Sequence, residues 1–166
     1  DEAKVPIFLD DPRMIRFRTF SKAYGVAGAR IGYGIGNKEL ISEFDKIRNH
    51  FGNSLLSQVA AIAAIKDQRY LSEVVKKISL GREEIYQIAK SNGLSAIPSA
   101  TNFVAIDCGK DGKFANQIMN GLLEAKLFVR KPMVAPLDRT IRVTVGRDEE
   151  IDLLKNVLPE VLKALR

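Results

Sequence analysis

From Arg18 to Gly36 the chain reads Arg-Thr-Phe-Ser-Lys-Ala-Tyr-Gly-Val-Ala-Gly-Ala-Arg-Ile-Gly-Tyr-Gly-Ile-Gly, and this stretch restricts the fold more than any other. Glycines at this density disfavour a helix, because each gives up the most backbone freedom on ordering. Met14 to Phe17 predicts a strand leading into a turn. Ile31 to Ile35 predicts a second short strand whose glycines imply close packing or bulges. Gly32, Gly34 and Gly36 do not follow the G-x-G-x-x-G spacing, and no helix opens inside them, so the stretch is not a dinucleotide loop.

The turn between these strands carries chemistry. Lys22 sits among small and apolar residues, with hydroxyls at Thr19 and Ser21 before it and a guanidinium at Arg30 after it. A lysine becomes a nucleophile once its ammonium loses a proton, which desolvation or a cationic neighbour encourages. A phosphate is held by hydroxyls, backbone N–H groups and a forked guanidinium. Gly25 and Gly28 let the backbone approach such a group closely. The set fits pyridoxal phosphate, which offers both an aldehyde and a phosphate; the plain alternative is a solvated lysine in a glycine-rich turn.

The string Thr-Phe-Ser-Lys-Ala-Tyr-Gly-Val-Ala-Gly-Ala-Arg-Ile-Gly-Tyr resembles the cofactor-lysine segment of fold-type I pyridoxal-phosphate aminotransferases, and within them of the histidinol-phosphate aminotransferases. The resemblance implies that Lys22 holds the cofactor as a Schiff base and serves as the catalytic residue, with Thr19, Ser21 and Arg30 on the cofactor phosphate. It also matches Asp1, in Asp1-Glu2-Ala3, to the aspartate that pairs with the pyridinium nitrogen. Lys4 stands where the family has tyrosine, and an exposed chain terminus remains the alternative for Asp1.

Composition narrows the class. The chain has 166 residues, 46% of them hydrophobic, which suffices for a core. No run of 18 apolar residues predicts a membrane span. A single cysteine, Cys108, excludes an internal disulfide and fits a reducing, cytoplasmic setting; it is expected as a small buried residue at a strand end. One histidine, His50, with one cysteine makes a metal site improbable, so no metal is expected. Lysine and arginine total 26 against 20 acids, a net charge of +6. The basic residues are interspersed with acids, which argues for small anionic ligands over nucleic acid.

The rest of the chain reads as helices followed by an α/β alternation. Asn37 caps a helix to Arg48 with Leu40, Ile41, Phe44 and Ile47 on one stripe. Asn53 or Ser54 caps the next, whose Leu55, Leu56, Val59, Ala60, Ile62, Ala63 and Ile65 are apolar nearly all round, the mark of a buried helix. Leu71 to Asn92 predicts a longer helix stopped by Gly93, with a bend allowed at Gly81. Strands follow at 94–97, 102–107 and 140–145, with a helix lined by Phe114, Ile118, Leu122 and Ala125. Leu127 to Arg130 and a loop holding Pro132 and Pro136 precede the last strand. Asp148, Glu149 and Glu150 open a final helix that Pro159 should kink or divide.

Arg142 alternates with Ile141 and Val143 and so points to the opposite face of its strand. By itself that describes an exposed edge arginine. Ile-Arg-Val-Thr-Val-Gly, however, resembles the substrate-arginine strand of the same aminotransferases, and Arg130 in Phe-Val-Arg-Lys-Pro matches a second basic residue near the substrate phosphate. A guanidinium suits either anion because it donates two parallel hydrogen bonds.

The resemblance implies an α/β fold, the C-terminal half of a fold-type I enzyme: residues 1–70 from the large cofactor domain, 71–93 a connecting helix and 94–166 a small α/β sandwich domain. Its expected activity is transfer of an amino group between histidinol phosphate, or a related amino acid, and 2-oxoglutarate or glutamate. A small-molecule amino donor, a 2-oxo acid and a second copy in a homodimer are the expected partners. A related pyridoxal-phosphate decarboxylase, a truncated non-catalytic fragment and a basic nucleic-acid module are the rival readings.

Overall fold

The computed structural model describes residues 11–165, and the chain divides between Val75 and Lys76 into two compact units. Asp1 lies outside the described residues.

The first unit is built on a hairpin. β1 (Ile15–Thr19) and β2 (Gly32–Gly36) pair antiparallel, Ile15 opposite Gly36 and Thr19 opposite Gly32. The glycines of β2 are there for backbone contact: a Cβ on Gly32 would stand 2.5 Å from the Arg18 carbonyl oxygen, and one on Gly36 would stand 2.9 Å from that of Met14. Asn37 caps α1 (Lys38–Glu43) by accepting the N–H groups of Glu39 and Leu40. The helix expected to reach Arg48 stops early and tightens into a 3-10 turn at Phe44–Lys46, leaving Ile47 exposed. Ser54 caps α2 (Leu55–Lys66) through the Ser57 N–H.

α2 is not the buried helix its sequence predicts. Only Ala61 is buried, while Leu55, Leu56, Val59, Ile62 and Ile65 are exposed. An all-round apolar helix states that it needs cover; the first unit supplies little of it.

α3 (Gln68–Ser91) runs through the division and contributes its second half to the other unit. There β3 (Ser95–Ile97), β4 (Phe103–Asp107) and β5 (Thr140–Thr144) form an antiparallel sheet with β4 in the centre. Val104, Ile106, Ile141 and Val143 face one way and pack with Ile85, Ile88 and Ala89 of α3, with Ala115, Ile118 and Leu122 of α4 (Gly112–Glu124), and with Ile151, Leu154, Leu158 and Leu162 of α5 (Asp148–Ala164). This is a two-layer α/β sandwich with its helices on one face of the sheet.

Gly81 has a packing reason. α3 is unbroken there, and a Cβ would stand 2.5 Å from Val145 Cγ1 and 3.0 Å from Ile151 Cδ1, so the glycine permits close packing. Pro159 does not divide α5, which continues through it to Ala164. Its missing N–H removes one bond, and buried Leu158 and Leu162 on either side hold the helix to the core. Leu127–Arg130 makes no strand beyond one bridge, Arg130 to Arg142.

Candidate active site

The loop between β1 and β2 is closed at its base. Phe20 donates its N–H to the Ile31 carbonyl at 3.3 Å, and Val26 donates to the Phe20 carbonyl at 3.1 Å. Phe20 is buried, with its ring centroid 4.9 Å from that of Tyr24 and 5.5 Å from that of Tyr33. This aromatic cluster anchors the loop. Lys22 begins a tight turn in which the Gly25 N–H bonds the Lys22 carbonyl at 2.9 Å, and the chain leaves that turn at Gly25 with a positive φ of 73°, which glycine adopts freely.

Thr19, Ser21, Lys22 and Arg30 therefore share one closed loop. The Thr19 hydroxyl accepts the Ser21 N–H at 3.0 Å, which fixes its oxygen and leaves its proton to donate. Arg30 sits at φ 48°, ψ 47°, ending the short 3-10 turn Ala27–Ala29, and one guanidinium nitrogen donates to the Ala27 carbonyl at 2.9 Å. The remaining N–H groups of that fork have no partner among the described residues. Lys22 is exposed, and Arg30 is the other basic side chain of the loop.

In the second unit the structure brings Arg130 and Arg142 together. Arg142 donates its N–H to the Arg130 carbonyl at 2.6 Å, and Arg130 returns the bond at 3.2 Å. Such a doubly bonded antiparallel pair has its Cα atoms about 5.5 Å apart and its side chains on the same face. Arg142 is half-buried rather than fully exposed, with Ala105 opposite it on β4 and the Phe103 ring beneath its guanidinium. Two positive side chains rising from one face of the strand pair favour an anion there.

Outside these two groups the candidates fall away. Cys108 is buried just after β4, and desolvation pushes its thiol up to about 11, so it is inert. His50 lies in an exposed turn. Among the described residues no cluster of His, Cys, Asp and Glu is arranged to hold a metal, and no helix is long and apolar enough to cross a membrane. Phe103 was not singled out by sequence reasoning. Its signal is the two-residue alternation of β4, which puts it on the face of Arg142 once the register is known.

The family model for aminotransferase class I and II matches residues 3–158. The chain belongs to this family. It is 38% identical over 159 residues to the histidinol-phosphate aminotransferase of Geobacillus sp. (strain WCH70), covering 96% of this chain and 43% of the relative. To that of Bacillus subtilis (strain 168) it is 37% identical over 158 residues, covering 95% and 43%. Among solved structures it is similar to the histidinol-phosphate aminotransferase of Sinorhizobium meliloti in complex with pyridoxal-5'-phosphate, with a TM-score of 0.91, 53% identity, and coverage of 95% of this chain and 43% of that one. The chain thus spans about 43% of the length of these relatives.

Proposed function

We propose that this chain carries the cofactor lysine and the substrate arginines of a pyridoxal-phosphate-dependent aminotransferase in histidine biosynthesis. The reaction would move an amino group between histidinol phosphate, or a related amino acid, and 2-oxoglutarate or glutamate. The observation that carries this reading is the closed loop 20–31. It holds the Lys22 amine, the Ser21 hydroxyl and the Arg30 guanidinium between anchored ends, with the Thr19 hydroxyl at the end of β1 just before it. That donor set suits a ligand carrying both a phosphate and an aldehyde.

Pyridoxal phosphate would supply an aldehyde for an amine and a ring that draws electrons from the bonds at the substrate α-carbon. The chain's own residues do the rest. Lys22 Nζ is the amine for that aldehyde and, once a substrate amine takes its place, would be the base that takes the proton from the substrate α-carbon and delivers it to the carbon that bore the aldehyde. Thr19, Ser21 and Arg30 hold the phosphate. Arg142, with Arg130 beside it, holds the anionic end of either substrate, since a fork that fits a phosphate also fits a carboxylate.

A homodimer in the cytoplasm belongs to the same proposal. A chain with one cysteine, Cys108, fits a reducing compartment, and the exposed apolar side of α2 fits a protein with further polypeptide around it. The test is the visible absorbance of the full-length holoenzyme. Lys22→Ala should abolish the band of the lysine-bound cofactor, and an unchanged band would sink the assignment.

A further inference from the structure

We infer that Phe103 is a positioning residue for Arg142, holding its guanidinium flat and its N–H groups free before an anion arrives. This rests on the reading of Arg142 as the substrate-anion residue. The Arg142 guanidinium carbon lies 4.9 Å from the centroid of the Phe103 ring. Register explains the contact: Arg142 stands opposite Ala105 and diagonal to Phe103, which pairs with Thr144. Ala105 ends at Cβ, so nothing directly across the sheet stops the arginine from leaning onto the ring.

A ring face differs from a carboxylate as a support. A carboxylate would occupy the in-plane N–H groups of the fork, whereas a ring face accepts the cation without taking up its N–H donors. Among the described residues no carboxylate pairs with Arg142. The arginine's rotamer freedom is thereby reduced in advance, without use of the groups that bind the ligand.

The platform is itself tied down. The Phe103 carbonyl accepts Ser99 Oγ at 2.6 Å and Thr101 Oγ1 at 3.2 Å, and its N–H donates to Thr101 Oγ1 at 3.3 Å. Two α3 side chains fix this turn in turn. The Ser99 N–H donates to the Tyr86 hydroxyl at 2.7 Å, and Arg82 Nη1 donates to the Thr101 carbonyl at 2.8 Å. The sandwich thus fixes the backbone that carries the ring, and the ring lies under the guanidinium.

The test uses the full-length holoenzyme and compares Phe103→Leu, Phe103→Tyr and Arg142→Ala. The readouts are kcat, the KM for 2-oxoglutarate, and calorimetric affinity for maleate, an unreactive dicarboxylate. Phe103→Leu should raise the KM and weaken maleate by about 3- to 30-fold, the range for losing a cation–ring contact, with kcat little changed. Phe103→Tyr, which keeps the ring face, should restore both values. Should Phe103→Leu not fold, Phe103→Met carries the same expectation. If Arg142→Ala weakens maleate while Phe103→Leu does not, or if Phe103→Tyr is as defective as Phe103→Leu, the inference is overturned and the Arg142 reading stands. If Arg142→Ala leaves maleate affinity unchanged, both fall.

Discussion

Arg30 holds a backbone conformation that L-residues other than asparagine and aspartate seldom adopt, with φ at 48°. A side chain kept there at a cost in strain argues for the guanidinium, because glycine would fit the backbone better. Arg30→Gly separates the two effects. Unfolding stability should change by less than about 1 kcal/mol, since relieved strain offsets the added freedom of the unfolded chain. Cofactor affinity of the full-length enzyme should fall about 10- to 100-fold, the loss of a charged hydrogen bond. Urea titration and cofactor titration measure these separately.

Cys108 gives a second prediction at this scale. Its thiol is pushed from 9.0 up to about 11 in the fold by desolvation. A raised value means that the folded chain favours the protonated thiol, so this contribution is complete below pH 9 and declines as pH rises toward 11. Native protein at pH 8 should resist alkylation by iodoacetamide and react fully in denaturant. The thiol count by mass spectrometry reports it.

At the scale of elements, α3 shows why a glycine can matter inside a helix. On propensity alone Gly81→Ala would stabilise by roughly 1 kcal/mol. The added Cβ would instead press on Val145 and Ile151, and overpacking costs about 1–3 kcal/mol. Net destabilisation is expected, read as a lower urea midpoint; a gain in stability would show that the helix can shift away. Here sequence gave the helix and misplaced the reason for its glycine, because the reason lies in β5's end and α5. The caps at Asn37 and Ser54 were legible, as each is a local matter of one side chain and nearby N–H groups. The burial of α2 was not, for periodicity reports the cover a helix needs and not what this chain provides.

For the whole molecule, the α/β alternation of the second unit and the strand–turn–strand around Lys22 could be read from pattern and turn chemistry. Long-range register could not. Neither the Arg130–Arg142 pair nor the Phe103 platform is visible until the register of β4 against β5 is known. The motif around Lys22 was legible because its residues are consecutive and one loop holds them. The most direct measurement treats the full-length holoenzyme with borohydride, digests it and maps the peptides by mass. The reduced cofactor should be found on the peptide containing Lys22 and on no other; its attachment to a different lysine, or to none, would contradict the account.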